Sequence, residues 1–161
     1  MKQLISLRVN GEPYEVAVEP HKTVLEVLRN ELELTGTKEG CGGLGQCGTC
    51  TVIMDGKAVN SCLVLAMDAR DKEILTIEGV AKDRKLHPIQ QAFLDYGAIQ
   101  CGFCAPGTVL SAKALFDKNP NPTEDEIKIA IAGNLCRCTG YAKRKKALLA
   151  VAEQQGKEGG R

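Results

Sequence analysis

The sequence is short of net charge: 21 lysines and arginines stand against 20 aspartates and glutamates, a formal +1 at pH 7 over 161 residues. That balance excludes a role built on electrostatic attraction to nucleic acid or to an anionic membrane. Long hydrophobic runs are missing too. No run exceeds six residues, the length of Cys62 to Met67, against about 20 for a helix that crosses a bilayer, so no membrane insertion is expected. Met1 to Val9 is interrupted by Ser6 and Arg8 and runs into Asn10-Gly11, which leaves no secretory h-region and predicts a cytoplasmic, reducing setting. Histidine is scarce. His21 lies beside a turn and His87 precedes Pro88; both read as surface or capping residues, neither as catalytic. There is no internal repeat and no low-complexity segment. The length suits one ordinary domain or two small ones and is too short to enclose a large cofactor alone. What the chain does have is cysteine, eight in all. Where disulfides are rare, cysteines at this density point to metal binding or redox chemistry.

The hydrophobic pattern divides the chain. Ile5, Leu7 and Val9 alternate with polar residues, Asn10-Gly11 offers a two-residue turn, and Tyr14, Val16 and Val18 alternate again, so a hairpin is predicted. Thr23 and Glu26 form a capping box ahead of Val24, Leu25, Leu28 and Leu32, whose helical spacing marks a core-facing stripe on a helix ending near Thr35-Gly36. Thr51 to Met54 and Lys57 to Val59 flank Asp55-Gly56 as a second hairpin, and Ile74 to Ile77 reads as one more strand. Beyond Gly79 the period changes to that of helices. Pro88 suits the first turn of a helix carrying Ile89, Phe93 and Leu94. A second carries Val109, Leu110, Ala114 and Leu115 and stops before Asn119-Pro120. Thr123 and Glu126 cap a third that Gly133 can close, and a fourth runs from about Ala142 to Gln155 ahead of a frayed tail. Two domains are expected, 1–79 and 80–161.

The cysteines follow the same division. Cys41, Cys47, Cys50 and Cys62 are spaced C-x5-C-x2-C-x11-C, and Cys101, Cys104, Cys136 and Cys138 are spaced C-x2-C-x31-C-x-C. Four and four is the ligand count of two metal centres. The first set is close to the plant-type [2Fe-2S] spacing, and Gly42, Gly43, Gly45 and Gly48 thread a loop able to turn its amides toward the sulfurs of a cluster. Structural zinc is the main alternative, since C-x2-C pairs also build zinc knuckles. Disulfides would need an oxidising compartment. A thioredoxin-like dithiol at Cys101-Gly-Phe-Cys104 lacks strand context and leaves Cys136 and Cys138 unexplained. Gly43-Leu-Gly45-Gln-Cys-Gly48 matches G-x-G-x-x-G but neither follows a strand nor opens a helix, so the dinucleotide reading fails.

Three blocks, Gln46-Cys47-Gly48-Thr49-Cys50-Thr51-Val52 after Gly40-Cys41, then Gln100-Cys101-Gly-Phe-Cys104-Ala-Pro106-Gly107, then Asn134-Leu-Cys136-Arg-Cys138-Thr-Gly140-Tyr141, resemble the iron-sulfur subunit of the molybdenum hydroxylases. This family includes xanthine dehydrogenase, aldehyde oxidoreductase and carbon monoxide dehydrogenase, and the resemblance spans Leu4 to about Ala152. It implies an α+β chain, with an N-terminal β-grasp, ferredoxin-like [2Fe-2S] domain followed by a four-helix [2Fe-2S]-binding domain. It also implies two clusters, one on Cys41, Cys47, Cys50 and Cys62 and one on Cys101, Cys104, Cys136 and Cys138. By the same resemblance Gln100 and Cys138 contact a molybdopterin on a large subunit, and the first cluster faces FAD on a medium subunit, in a heterotrimer or a dimer of heterotrimers. The chain would then be an electron-transfer subunit of an oxidoreductase, without catalytic residues of its own; a free-standing two-cluster ferredoxin is the alternative. Two departures stand out. Five residues separate Cys41 from Cys47 where the family has four. Lys143-Arg-Lys-Lys146 puts Arg144 where the family carries an aliphatic residue; the run reads as a solvated helix face, with a subunit contact as the alternative. Phe103, between two cysteines, reads either as a cluster shield or as part of the bundle core.

Overall fold

The computed structural model describes residues 1–138 and 140–158. Strands β1 (Gln3–Val9) and β2 (Glu12–Val18) pair antiparallel with Val9 opposite Glu12. Asn10 and Gly11 make the turn at φ 55° and 88°, the left-handed pair that a two-residue hairpin requires. Ile5, Leu7 and Val9 point inward. Helix α1 (Val24–Glu26) starts at the Thr23 capping box and widens into a π-turn over Val27–Glu31. It ends sooner than Thr35-Gly36: the Leu32 amide donates to Val27 O, the Leu34 amide to Leu28 O, and Leu32 and Leu34 fold back onto the sheet core.

Strands β3 (Thr51–Met54) and β4 (Lys57–Asn60) form the second hairpin, and β5 (Glu73–Leu75) completes a mixed sheet of order β2-β1-β5-β3-β4. The strand expected at Ile74 to Ile77 leaves the sheet early. The Thr76 amide donates to Asn10 Oδ1 at 2.9 Å, and Ile77–Gly79 closes a 3-10 turn. Four helices follow, α2 (Pro88–Asp95), α3 (Ala105–Phe116), α4 (Glu124–Ile131) and α5 (Gly140–Glu158), so the chain is α+β. His87 caps α2, its Nδ1 accepting from the Ile89 amide at 3.3 Å. Ala132 follows the last turn of α4, and Gly133 is not among the left-handed glycines. Helix α5 begins earlier than expected and takes in Gly156, so the expected tail belongs partly to the helix; residues 159–161 lie outside the described residues.

Strand β3 is buried on both faces. Val52 joins Ile5, Val9, Leu28 and Ile74 in the sheet core, while Ile53 joins Phe93, Leu110, Ile127 and Leu148 in the helical core. A strand that alternates between two cores ties the layers along its whole length. At about 25 cal/mol per Å² of apolar surface, each such buried aliphatic side chain contributes roughly 1.5–3 kcal/mol.

Candidate metal centres

The first cysteine set lies in the loop between α1 and β3, with Cys62 in a 3-10 turn after β4. Gly42, Gly43, Gly45 and Gly48 all have positive φ, 68°, 81°, 70° and 66°. Tight left-handed turns of this kind aim successive amides at one point. The Cys41 sulfur receives the amides of Gln46, Cys47 and Leu44, which pull its thiol down to about 7. Added methyls at Gly42 and Gly43 would meet nothing, so the loop has room for its fifth residue. Cys50 and Cys62 bring their sulfurs to 3.3 Å. Burial, reinforced by the adjacent Cys50, pushes the Cys62 thiol up to about 11. Thr49 Oγ1 lies 3.1 Å from the sulfur of Cys47.

The second set joins the entry to α3 with the segment before α5. Cys101 and Cys138 are exposed, and Cys104 and Cys136 are half-buried. The amide of Phe103 lowers the Cys101 thiol, helped by Cys138, whereas proximity to Cys101 raises that of Cys138. Burial raises Cys104, with Cys136 at hydrogen-bonding range. Sulfurs therefore meet two by two: Cys41 with Cys47, Cys50 with Cys62, Cys101 with Cys138, Cys104 with Cys136. Among the described residues no group of three or more converges on a point where one ion could sit. Zinc takes four thiolates about a single centre, whereas a [2Fe-2S] cluster takes two on each iron. The paired arrangement fits the two-iron group.

Cys47 of the first set and all four cysteines of the second line one cleft. A cavity of about 460 Å³ is lined by Gly40, Cys47 and Thr49 on one side and by Cys101, Phe103 and Cys136 among those on the other. The amide of Leu135, next to Cys136, donates to the carbonyl of Cys47 at 2.9 Å. Asn134, 2 % exposed, donates Nδ2 to the carbonyl of Gly48 at 2.8 Å. A methyl on Gly48 would overlap the carbonyl of Gly133, and one on Gly107 that of Gly48. Phe103 is 44 % exposed, so it does not fill the bundle core; its ring edge approaches Gly40 beside Cys47. Gln100 is exposed immediately before Cys101.

Two family models match the chain, "2Fe-2S iron-sulfur cluster binding domain" over residues 7–76 and "[2Fe-2S] binding domain" over 76–149. The nicotinate dehydrogenase small FeS subunit of Eubacterium barkeri is 50 % identical over 153 residues, 95 % of this chain and 97 % of that one. This chain belongs to the small iron-sulfur subunits of the molybdenum hydroxylases. It is thus an electron-transfer subunit of an oxidoreductase with two [2Fe-2S]-binding domains. Among solved structures of the family, quinoline 2-oxidoreductase from Pseudomonas putida 86 superposes with a TM-score of 0.91 at 41 % identity, covering 97 % of both chains. The aldehyde oxidoreductase from Desulfovibrio desulfuricans superposes at 0.90 and 41 % identity, but over 17 % of its own chain. The same unit thus stands alone in some relatives and inside a longer polypeptide in others. Small subunits of this family work with partner subunits.

One sequence expectation is overturned. Arg144 does not lie on a solvated face: it is 0 % exposed and, among the described residues, the largest fully buried side chain. Its Nη1 donates to Thr108 Oγ1 at 3.2 Å and to the carbonyl of Asn134 at 3.3 Å, and its Nη2 contacts the sulfur of Cys104. The ring of Tyr141 lies 5.8 Å away. Of the four basic residues 143–146, helix α5 turns only Arg144 inward, while Lys145 pairs outside with Glu124 at 2.8 Å. A charged residue within a run of four basic residues carries no sign of burial in the sequence itself. Asn134 was part of a quoted block, and only the fold reveals that it fastens the two loops.

Proposed function

We propose that the chain carries electrons one at a time between a molybdopterin-bearing large subunit and an FAD-bearing medium subunit. Cys101, Cys104, Cys136 and Cys138 would hold the cluster on the molybdopterin side, and Cys41, Cys47, Cys50 and Cys62 the cluster on the flavin side. When bound, the clusters supply one-electron carriers. The protein sets their potentials through charge, burial and hydrogen bonds to sulfur. The observation that carries the reading is the cleft lined by Cys47 of the first set and by all four cysteines of the second, where the Leu135 amide reaches the Cys47 carbonyl. Tunnelling falls steeply with distance, so a relay between two large cofactors needs carriers at a short, fixed separation. Gln100 and Cys138, both exposed, would meet the pterin. Leu44 and Leu63, 65 % and 62 % exposed beside the first loop, suit burial against the flavin subunit. We take residues 1–79 and 80–161 as the two domains, the assembly as a heterotrimer or a dimer of heterotrimers, and its compartment as the cytoplasm. Substrate choice belongs to the large subunit.

Metal analysis and paramagnetic resonance test this. Four irons and four acid-labile sulfides per chain are expected; zinc without iron would overturn the reading. Cys138→Ala should abolish the signal of the second cluster and spare the first, and Cys50→Ala the reverse. Persistence of both signals at full strength in either variant would overturn the ligand grouping. A free-standing ferredoxin would purify alone at 17.3 kDa, without flavin or molybdenum.

A further inference from the structure

We infer that Arg144 is a positioning residue that raises the reduction potential of the cluster on Cys101, Cys104, Cys136 and Cys138. The inference rests on the ligand assignment proposed above.

A guanidinium keeps its charge in a protein. Arg144 is fully buried, and it forms no ion pair with a carboxylate among the described residues. Its Nε has no hydrogen-bond partner. Its other contacts are neutral, the hydroxyl of Thr108 and the carbonyl of Asn134, apart from the sulfur of Cys104. A buried charge is costly unless something of opposite sign compensates it. The one group here able to do so is the Cys104 sulfur, as a thiolate within a cluster. Four thiolates and two sulfides outweigh the charge of two ferric ions, so such a cluster is an anion, and reduction makes it more anionic. A fixed cation against one ligand stabilises the reduced form more than the oxidised one, and a hydrogen bond to that sulfur acts in the same direction. Contact-range interactions between charges remain worth more than tenfold in an equilibrium even at the effective dielectric of protein interiors. The first sulfur set has backbone amides and the Thr49 hydroxyl around it and no comparable buried cation among the described residues. Arg144 therefore acts on one centre selectively, favouring entry of an electron on the side where substrate electrons arrive.

The test is a redox titration of the as-purified holo-complex followed by paramagnetic resonance, with the first cluster as internal reference. Arg144→Leu fills similar space without charge, Arg144→Gln keeps a neutral donor, and Arg144→Lys keeps the charge. The one-electron reduction equilibrium of the second cluster should shift at least tenfold toward the oxidised form in Arg144→Leu, about 59 mV. Arg144→Gln should shift in the same direction, and Arg144→Lys should recover most of the change. A purely structural Arg144 would alter thermal stability in these variants with both midpoints unmoved, and that result overturns the inference. If Arg144→Leu loses the second cluster, the Gln and Lys variants decide by the same comparison. A wild-type complex without two distinct [2Fe-2S] signals would instead overturn the ligand assignment, and the inference with it.

Discussion

Gly48 is held from two sides. Its carbonyl accepts from Asn134, and its α-carbon packs against the Gly133 carbonyl at a φ of 66°. Asn134→Ala removes one buried donor to the Gly48 carbonyl, which keeps the Thr51 hydroxyl at 2.7 Å and the Thr51 amide at 3.3 Å, so the loss is about 0.5–1.5 kcal/mol. For a chain of this size about 1 kcal/mol corresponds to roughly 2–4 °C in Tm, so a thermal scan of the as-purified protein should show the loss. Gly48→Ala should be the worse of the two, because a left-handed backbone and a clash with backbone rather than with a flexible side chain act together. At this scale the division of the cysteines into two sets was legible in their spacing. Arg144 was not, because its neighbours in sequence are three exposed or half-buried lysines and only the approach of α3 and the Asn134 loop makes its position interior.

Elements begin where local chemistry is strong and end where packing decides. The Thr23 and Thr123 capping boxes and the Pro88 start stand where the sequence puts them, since a side chain bonding an amide three residues on needs nothing from the rest of the fold. Thr123→Ala should cost about 1 kcal/mol, read as a lower midpoint in denaturant with an unchanged slope; Thr123→Ser should restore it. The ends are different. Helix α1 stops early because Leu32 and Leu34 fold back to the sheet, and β5 stops at Leu75 because Asn10 captures Thr76. Both events depend on residues far away in the chain or on a core that no periodicity describes. Glu124 shows the converse: Lys128 and Lys145 hold its carboxyl down at about 2, one contact within α4 and the other reaching across from α5.

At the scale of the whole molecule, several large apolar side chains stand exposed near the cysteines. Leu44 and Leu63 flank the first loop, and Phe103, Leu135 and Tyr141 surround the second set. Exposed apolar groups gathered at functional loops mark surfaces that partners cover. Leu44→Glu should release the proposed flavin-bearing subunit in size-exclusion chromatography while iron stays at four per chain, because the side chain is exposed and it is the Leu44 amide that meets the Cys41 sulfur. Retention of the flavin subunit would place that interface elsewhere. The two-part architecture was legible in the change from period two to helical period. That β3 serves both cores was not, because Val52 and Ile53 are both apolar and alternation cannot show which neighbour each one meets.

The Leu135-to-Cys47 hydrogen bond and the ring of Phe103 can also be regarded as an insulator. The wall between the two sulfur sets includes one amide-carbonyl pair and one aromatic edge, clamped by Asn134 and by glycines that admit no methyl. Those contacts fix the approach of the two loops beside the open cleft. With the separation fixed in this way, the rate of transfer between clusters held on the two sides would answer to their difference in potential, the quantity that the proposed role of Arg144 changes.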